Sequence, residues 1–198
     1  MSALEDAPQI EFQSRVQLRK WLETHHLSAA PFWLVSYKKH VTKHYIPYSE
    51  IVEELLCFAW VDSRTRRLDD DRTMLFVSPR KAGSTWSASN KKRVARLIRD
   101  QRMHPAGLDS IASAKEDGSW IYLDEIENLV IPDDLKSALA KNARAMRSFE
   151  GFNKAAKKVI LLWLKSAKRE TTRRNRILET VRLAAKGLKA AHPESKGQ

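Results

Sequence analysis

The residues best equipped for chemistry lie between two tryptophans. Trp60 precedes, and Trp86 follows, the run Asp62-Ser63-Arg64-Thr65-Arg66-Arg67, then Asp69-Asp70-Asp71-Arg72, then Arg80-Lys81 and Ser84. Planar guanidinium forks take carboxylate or phosphate through two parallel hydrogen bonds. A helix N-terminus at 84–87 would add free N–H groups for an anion, and indole faces stack on rings. Two arrangements satisfy this composition. In one, the nearly matched aspartates and arginines pair with one another and Trp60 and Trp86 lie in the core. In the other, Trp60, Asp62, Ser63, Arg66, Arg80, Lys81, Ser84 and Trp86 flank one concave surface that takes an anionic or nucleotide-like ligand. Asn90 belongs to the same question. On a helix begun at Trp86, positions 86, 90, 94 and 97 share a face, so the Asn90 amide stands among Trp86, Val94 and Leu97 and must find partners. Those partners are the Ser78–Arg80 backbone or a ligand.

Other chemistries have less support. The six histidines are His25, His26, His40, His44, His104 and His192, and none stands at metal-ligand spacing within a motif. His40 and His44 are four apart but fall in a loop-like stretch beside Lys39 and Lys43, without carboxylates nearby. Asp62 and Ser63 could form half of an acid–base pair, yet adjacent residues point apart on regular backbone. No metal and no cofactor is therefore expected. The lone cysteine, Cys57, excludes an intrachain disulfide. It sits in the apolar run Leu55-Leu56-Cys57-Phe58-Ala59-Trp60, where it reads as a small buried hydrophobe or, less simply, a nucleophilic thiol.

The net charge of +12 is unevenly distributed. Residues 1–140 hold 20 Lys and Arg against 20 Asp and Glu, whereas residues 141–198 hold 16 against 4. A field confined to one segment attracts polyanions such as nucleic acid or an anionic surface, with Lys157, Lys158, Lys168, Arg169, Arg173 and Arg176 as the contacts. The plainer alternative is a solvated basic face that serves solubility.

Elements that would position these residues follow from periodicity. Arg15 to Leu27 predicts a short helix with Val16, Trp21, Leu22 and Leu27 as its apolar positions. Phe32 to Lys38 and Thr73 to Ser78 predict two strands of one small sheet. Ser49 is a plausible cap for a helix carrying Ile51, Val52, Leu55, Leu56 and Ala59, with Glu50, Glu53 and Glu54 behind its N-terminus. Asp62 to Asp71 reads as a charged, turn-rich loop that leaves room for a short extended piece. Ser84 or Thr85 would cap a helix from Trp86 to about Gln101, and a further helix spans Gly107 to Lys115. Pro132 opens helices at 133–140, 143–149, 154–167 and 171–186, with Gly187 as the stop. On the third of these, Phe152, Ala156, Val159, Ile160 and Trp163 form the apolar face.

The fold class is α+β and mostly α-helical, with a small β-sheet in the N-terminal half and a C-terminal basic helical subdomain. The chain divides into an α+β region at 1–130, a helical domain at 131–188 and a flexible tail at 189–198. With 42% hydrophobic and 30% charged residues over 198 positions, it has material for a real core. Met1 to Ile10 has no secretory pattern and no apolar run is long enough to span a bilayer, so a cytoplasmic location is expected.

Several motifs in order resemble the YdeI/OmpD-associated, or bacteriocin-protection, family. They are Phe32-Trp33-Leu34 with Tyr37-Lys38-Lys39, then Glu54 to Ser63, Ser78-Pro79-Arg80-Lys81, Ser84-Thr85-Trp86-Ser87 with Asn90, Met103 with Gly107-Leu108, and Ala114-Lys115 with Asp117-Gly118 and Trp120. Ala167-Lys168, Thr172-Arg173 and Arg176-Ile177 extend the likeness to a helical C-terminal domain, so that it reaches from Leu18 to Leu183. Ala59 and Val61 stand where the family usually has glycine and isoleucine, and Thr171 where it usually has glutamate. The resemblance implies resistance phenotypes and a porin association but no catalytic mechanism. Two functions remain: a non-enzymatic protein that binds an anion or nucleic acid in stress or bacteriocin protection, and an enzyme acting on a small anionic substrate in a Trp60/Asp62/Arg80/Trp86 pocket.

Overall fold

The computed structural model describes residues 6–191. The stretches 1–5 and 192–198, which carry His192, half of the Met1 to Ile10 segment and most of the expected tail, lie outside the described residues. Two compact units divide between Tyr122 and Leu123.

The first unit is built on a four-stranded sheet. Its strands are β1 (Gln9–Glu11), β2 (Phe32–Tyr37), β3 (Trp60–Arg67) and β4 (Arg72–Pro79), in the order β1-β2-β4-β3. β2 runs parallel to β1 and antiparallel to β4, and β3 pairs antiparallel with β4. The two expected strands are thus neighbours in one sheet. All of Phe32 to Ser36 is buried, because β2 is covered on both faces. Phe32 and Leu34 face the main core with Leu75, Val77 and Trp60, while Trp33 and Val35 meet Met74 and Phe76 on the other side.

β3 corrects the loop expected at 62–71. Asp62 stands opposite Val77 and Thr65 opposite Leu75, so the strand carries one extra residue as a bulge. Ser63 to Arg67 are all exposed. An edge strand bearing charge on both faces has no apolar alternation to betray it. The turn that follows is held by Asp69 Oδ1, which accepts from the Arg72 N–H at 2.7 Å and the Asp71 N–H at 3.0 Å. Arg72 completes the local ion pairs with Asp69 and Glu11, at 2.7 and 2.8 Å.

Helices α1 (Arg15–His25), α2 (Tyr48–Cys57), α3 (Ala88–Arg99) and α4 (Pro105–Glu116) pack on the sheet's main face. In α1 the inward residues are Leu18 and Leu22, whereas Val16 and Leu27 are exposed. Pro47 takes the place expected for Ser49 before α2, with no side-chain cap. Likewise α3 begins two residues later than expected, capped by Ser87 Oγ, which accepts from the Asn90 N–H at 3.2 Å. Trp86 therefore precedes the helix.

Every residue of α2 from Ile51 to Cys57 is buried, including Glu53 and Glu54. Glu54 accepts from Arg15 Nε and Arg102 Nη2 at 2.6 Å and from Arg19 Nη1 at 3.0 Å. Glu53 pairs with Arg15 at 2.9 Å and with Arg96. Buried carboxylates persist when paired in this way. The network ties α1, α2 and α3 together where apolar packing alone would leave two charges stranded.

The second unit contains α5 (Asp124–Glu127), α6 (Asp133–Ala140), α7 (Ala143–Gly151), α8 (Lys154–Lys165) and α9 (Glu170–Ala184). Its core gathers Leu135, Leu139, Phe149, Ile160, Leu161, Leu164, Ile177 and Leu183. On α8 the buried stripe is Ala156, Ile160, Leu161 and Leu164, so Val159 faces solvent rather than the core. Asn142 and Asn153 cap α7 and α8 through their side-chain oxygens. Gly187 adopts φ +75°, consistent with the expected stop.

Candidate functional site: a cleft beside Arg80 and Trp86

The chain leaves α2 through Ala59, which holds φ +60°. That left-handed conformation costs an alanine about 1–2 kcal/mol and explains why glycine is at home there in the resembling family. The Ala59 carbonyl then accepts from the Arg80 N–H at 2.7 Å, pinning the end of β4. Beyond it, residues 81–87 turn back over a cleft. Gly83 takes φ +73° and donates its N–H to Asp117 Oδ2 at 3.0 Å, while Asp117 Oδ1 accepts from the Ser119 N–H at 2.8 Å. Asp117 thus joins the β4–α3 loop to the end of α4.

Inside the cleft the Arg80 guanidinium lies 3.9 Å from the centre of the Trp86 ring, and its Nη1 donates to the Thr85 carbonyl at 3.2 Å. Trp86 in turn meets Trp120, with ring centres 5.1 Å apart. The resulting cavity, about 250 Å³, is lined by Ala59, Arg80 to Ser84, Trp86, Asp109, Ser110, Ser113, Ala114, Asp117 and Ser119. Among the described residues, three buried side-chain polar atoms have no hydrogen-bond partner: Arg80 Nε, Trp86 Nε1 and Ser119 Oγ. All three residues line this one cavity. A buried polar group without a partner costs about 1–3 kcal/mol, so such groups gather where something else supplies the bond.

The electrostatics agree with that geometry. Burial pulls the Arg80 pKa down to about 10, against the opposing attraction of Asp62. Arg80 remains a cation at neutral pH, incompletely compensated. Asp117 is held below the ordinary carboxylate range, first by the neighbouring Ser119 hydroxyl and then by the backbone N–H groups of Ser119 and Gly83. The hydroxyl strengthens that acidity without reaching full hydrogen-bond geometry, so the two nitrogen donors are the firmer pair of unpartnered groups.

Of the residues singled out in sequence, the fold brings Arg80, Lys81, Ser84 and Trp86 together. Trp60 is fully buried elsewhere: its indole N–H donates to the His26 carbonyl at 3.1 Å, and its ring packs on Phe32 and Trp21. The two indoles do not flank one surface. Asp62 accepts from the Tyr48 hydroxyl at 2.7 Å, a contact that, after burial, pushes Tyr48 up to about 12. Ser63 reaches the Phe76 carbonyl at 3.4 Å, and Arg66 lies over Trp33 at 6.0 Å. The Asn90 side-chain oxygen accepts from Arg93 at 3.1 Å, not from the Ser78–Arg80 backbone. Missed by the sequence reading were Asp109, Ser110, Ser113 and Ser119, some thirty residues downstream of Arg80, where no spacing rule connects them. His40 and His44 also diverge: the former meets Asp71 at 3.0 Å, the latter packs on Tyr37.

The basic candidates of the second unit divide. Arg173 grips Asp134 with two bonds of 2.6 and 3.0 Å, and Lys158 pairs with Glu127. Arg176 donates to the Trp163 carbonyl and to Ser166 Oγ, and Lys157 to the Glu150 carbonyl at 2.8 Å. Lys168 and Arg169 stand exposed in the α8–α9 turn.

Among the described residues no helix is long and apolar enough to cross a membrane. Two family models match the chain: one described as "Bacteriocin-protection, YdeI or OmpD-Associated" at residues 128–187, the other as a domain of unknown function (DUF8412) at residues 10–110. No match was found among curated proteins or among solved structures. The C-terminal helices match the bacteriocin-protection, YdeI or OmpD-associated family model, and the chain belongs to the DUF8412 family, whose model spans the region that carries Arg80 and Trp86.

Proposed function

We propose that the protein is a non-enzymatic binder of a small anion, held in the cleft beside Arg80 and Trp86. The carrying observation is that two buried nitrogen donors, Arg80 Nε and Trp86 Nε1, are unpartnered on residues lining one cavity. A cavity of about 250 Å³ lies below the range of roughly 300–1,000 Å³ typical of drug-sized ligands, which favours a metabolite-sized anion over a nucleotide. Binding is favoured over catalysis because, among the described residues, no lining serine is hydrogen-bonded to a base that would activate it as a nucleophile. The description of the family model that matches residues 128–187 supports a role for such binding in bacteriocin protection.

Titration of the full chain with propionate and with inorganic phosphate, followed by ligand-observed NMR, tests this reading. Saturable binding by at least one of them is expected. Arg80→Lys keeps the charge but loses the fork and Nε, and should weaken binding about tenfold or more. Trp86→Phe should weaken it about fivefold by removing one donor. Arg66→Ala, on the exposed face of β3, should leave it unchanged. If neither anion binds, or Arg80→Lys binds as the parent does, the cleft is not an anion site.

A second reading concerns nucleic acid. From Leu123 onward the chain holds 17 Lys and Arg against 9 Asp and Glu, and Lys168 and Arg169 lie exposed in one turn. Contacts would go to phosphates, since no side-chain set is arranged to read base edges. With about three phosphate contacts, affinity for duplex DNA should fall roughly 40-fold between 50 and 200 mM salt. It should change little between unrelated sequences of equal length. A Lys168→Glu, Arg169→Glu double variant of the full chain should lose most of it in a fluorescence titration. Equal binding by that variant would place the contacts elsewhere, and no binding at low salt would leave the basic face as a solvated surface.

A further inference from the structure

We propose that the ligand of the Arg80–Trp86 cleft is a small zwitterion, an α-amino acid or close analogue whose carboxylate meets the Arg80 and Trp86 donors while its ammonium meets Asp109 and Asp117. This inference rests on the anion-binding reading and sharpens it. The cavity wall carries two cations, Arg80 and Lys81, and two carboxylates, Asp109 and Asp117. A dianion such as phosphate placed against Arg80 would confront both carboxylates, and like charges so close are unfavourable. A zwitterion meets charge of opposite sign at each end and enters an electroneutral lining.

The two ends of the site also differ in solvation. Trp86 is only 1% exposed and Arg80 Nε is buried, so the carboxylate end is dry and its hydrogen bonds are correspondingly strong. Asp109 is exposed and forms no ion pair among the described residues, leaving its carboxylate free at the rim. Asp117 spends one lone pair of each oxygen on a backbone N–H and keeps acceptor capacity, since an ionised carboxylate offers about four acceptor positions. A hydrated ammonium suits such a rim better than a buried floor, because its desolvation is costly. The available space, equivalent to several waters at about 30 Å³ each, fits an amino acid with a small side chain.

The experiment is a calorimetric and ligand-observed NMR titration of the full chain at neutral pH with L-alanine, propionate, ethylamine and inorganic phosphate. Alanine is expected to bind at least tenfold more tightly than propionate, and ethylamine not to bind detectably. In Asp109→Asn, whose side chain is exposed and keeps its shape, alanine should lose most of that advantage while propionate binds as well or better. If propionate matches or exceeds alanine in the parent protein, or phosphate binds most tightly, the zwitterion inference fails while the anion-binding reading stands. If none of the four binds, both fall. An advantage for alanine that survives in Asp109→Asn would overturn the role given to that carboxylate.

Discussion

Replacing Glu54 with alanine is expected to destabilise the first unit by about 3–5 kcal/mol, the usual loss when one partner of a buried ion pair is removed. The Glu54 side chain is wholly inaccessible, and it receives three guanidiniums, those of Arg15, Arg19 and Arg102. Without it Arg15 keeps Glu50 and Glu53 and Arg19 keeps the more exposed Glu23, while Arg102 loses its carboxylate partner; Glu53 is already committed to Arg15 and Arg96. Water softens the loss. A polar cavity of about 410 Å³, lined by Arg15, Glu53, Arg96 and Arg102 among others, lets solvent approach the arginine side of the network, so the lower half of the range is expected. Glu54→Gln should cost nearly as much, since an amide keeps the shape but turns a donor toward a guanidinium. Urea unfolding is the measurement: the midpoint should fall while the slope stays constant. A loss below about 1 kcal/mol in both variants would mean that the arginines are hydrated in the folded protein and that the network adds little.

That network shows where sequence reasoning stops. Glu53 and Glu54 have the types and positions of acids that favour a helix N-terminus, and they were expected to act there. In the fold they are the sixth and seventh residues of α2, too far along for the end of the helix to matter. What holds them are arginines on α1, on α3 and beyond α3, at separations of 35 to 48 residues. Local patterns carry no such information. The strands β2 and β4 were legible because their runs of branched and aromatic residues are buried. β3 was not, because Ser63 to Arg67 face solvent and only the pairing with β4 makes them a strand. The cleft was half legible. Its arginine, lysine, serine and tryptophan come from one loop that the sequence marks out. Trp60 has the same chemistry as Trp86, yet its indole N–H is consumed by the His26 carbonyl, a partner that nothing in the sequence could name. The acidic half of the cleft comes from α4, which is brought to the loop by packing and by the contact of Asp117 with Gly83.

The placement of α4 rests on one glycine, which gives the second large effect. Gly107 is the third residue of α4, and a Cβ built there would sit 2.3 Å from the Cys57 carbonyl oxygen, 2.9 Å from its carbonyl carbon and 2.7 Å from Met103 Cε. The methionine can swing aside. The carbonyl cannot, since Cys57 ends α2 with no exposed surface and that same oxygen accepts from the His104 N–H at 3.2 Å. Gly107→Ala therefore forces α4 away from α2. Overpacking of this kind costs about 1–3 kcal/mol and sometimes more, while alanine's better helix propensity returns close to 1 kcal/mol. Because the clash is with backbone, a net loss of about 2 kcal/mol is expected. Gly151 is the control: a Cβ there meets nothing within 4 Å, so Gly151→Ala should be neutral or slightly stabilising. The displacement should also be felt in the cleft, because α4 carries Asp109, Ser110 and Ser113. Ligand affinity in Gly107→Ala should fall along with stability, whereas Gly151→Ala should lower neither. A gain of about 1 kcal/mol in Gly107→Ala, as propensity alone would give, would show that α2 and α4 pack more loosely than a 2.3 Å approach allows. The position of the cleft's acidic wall would then need another cause.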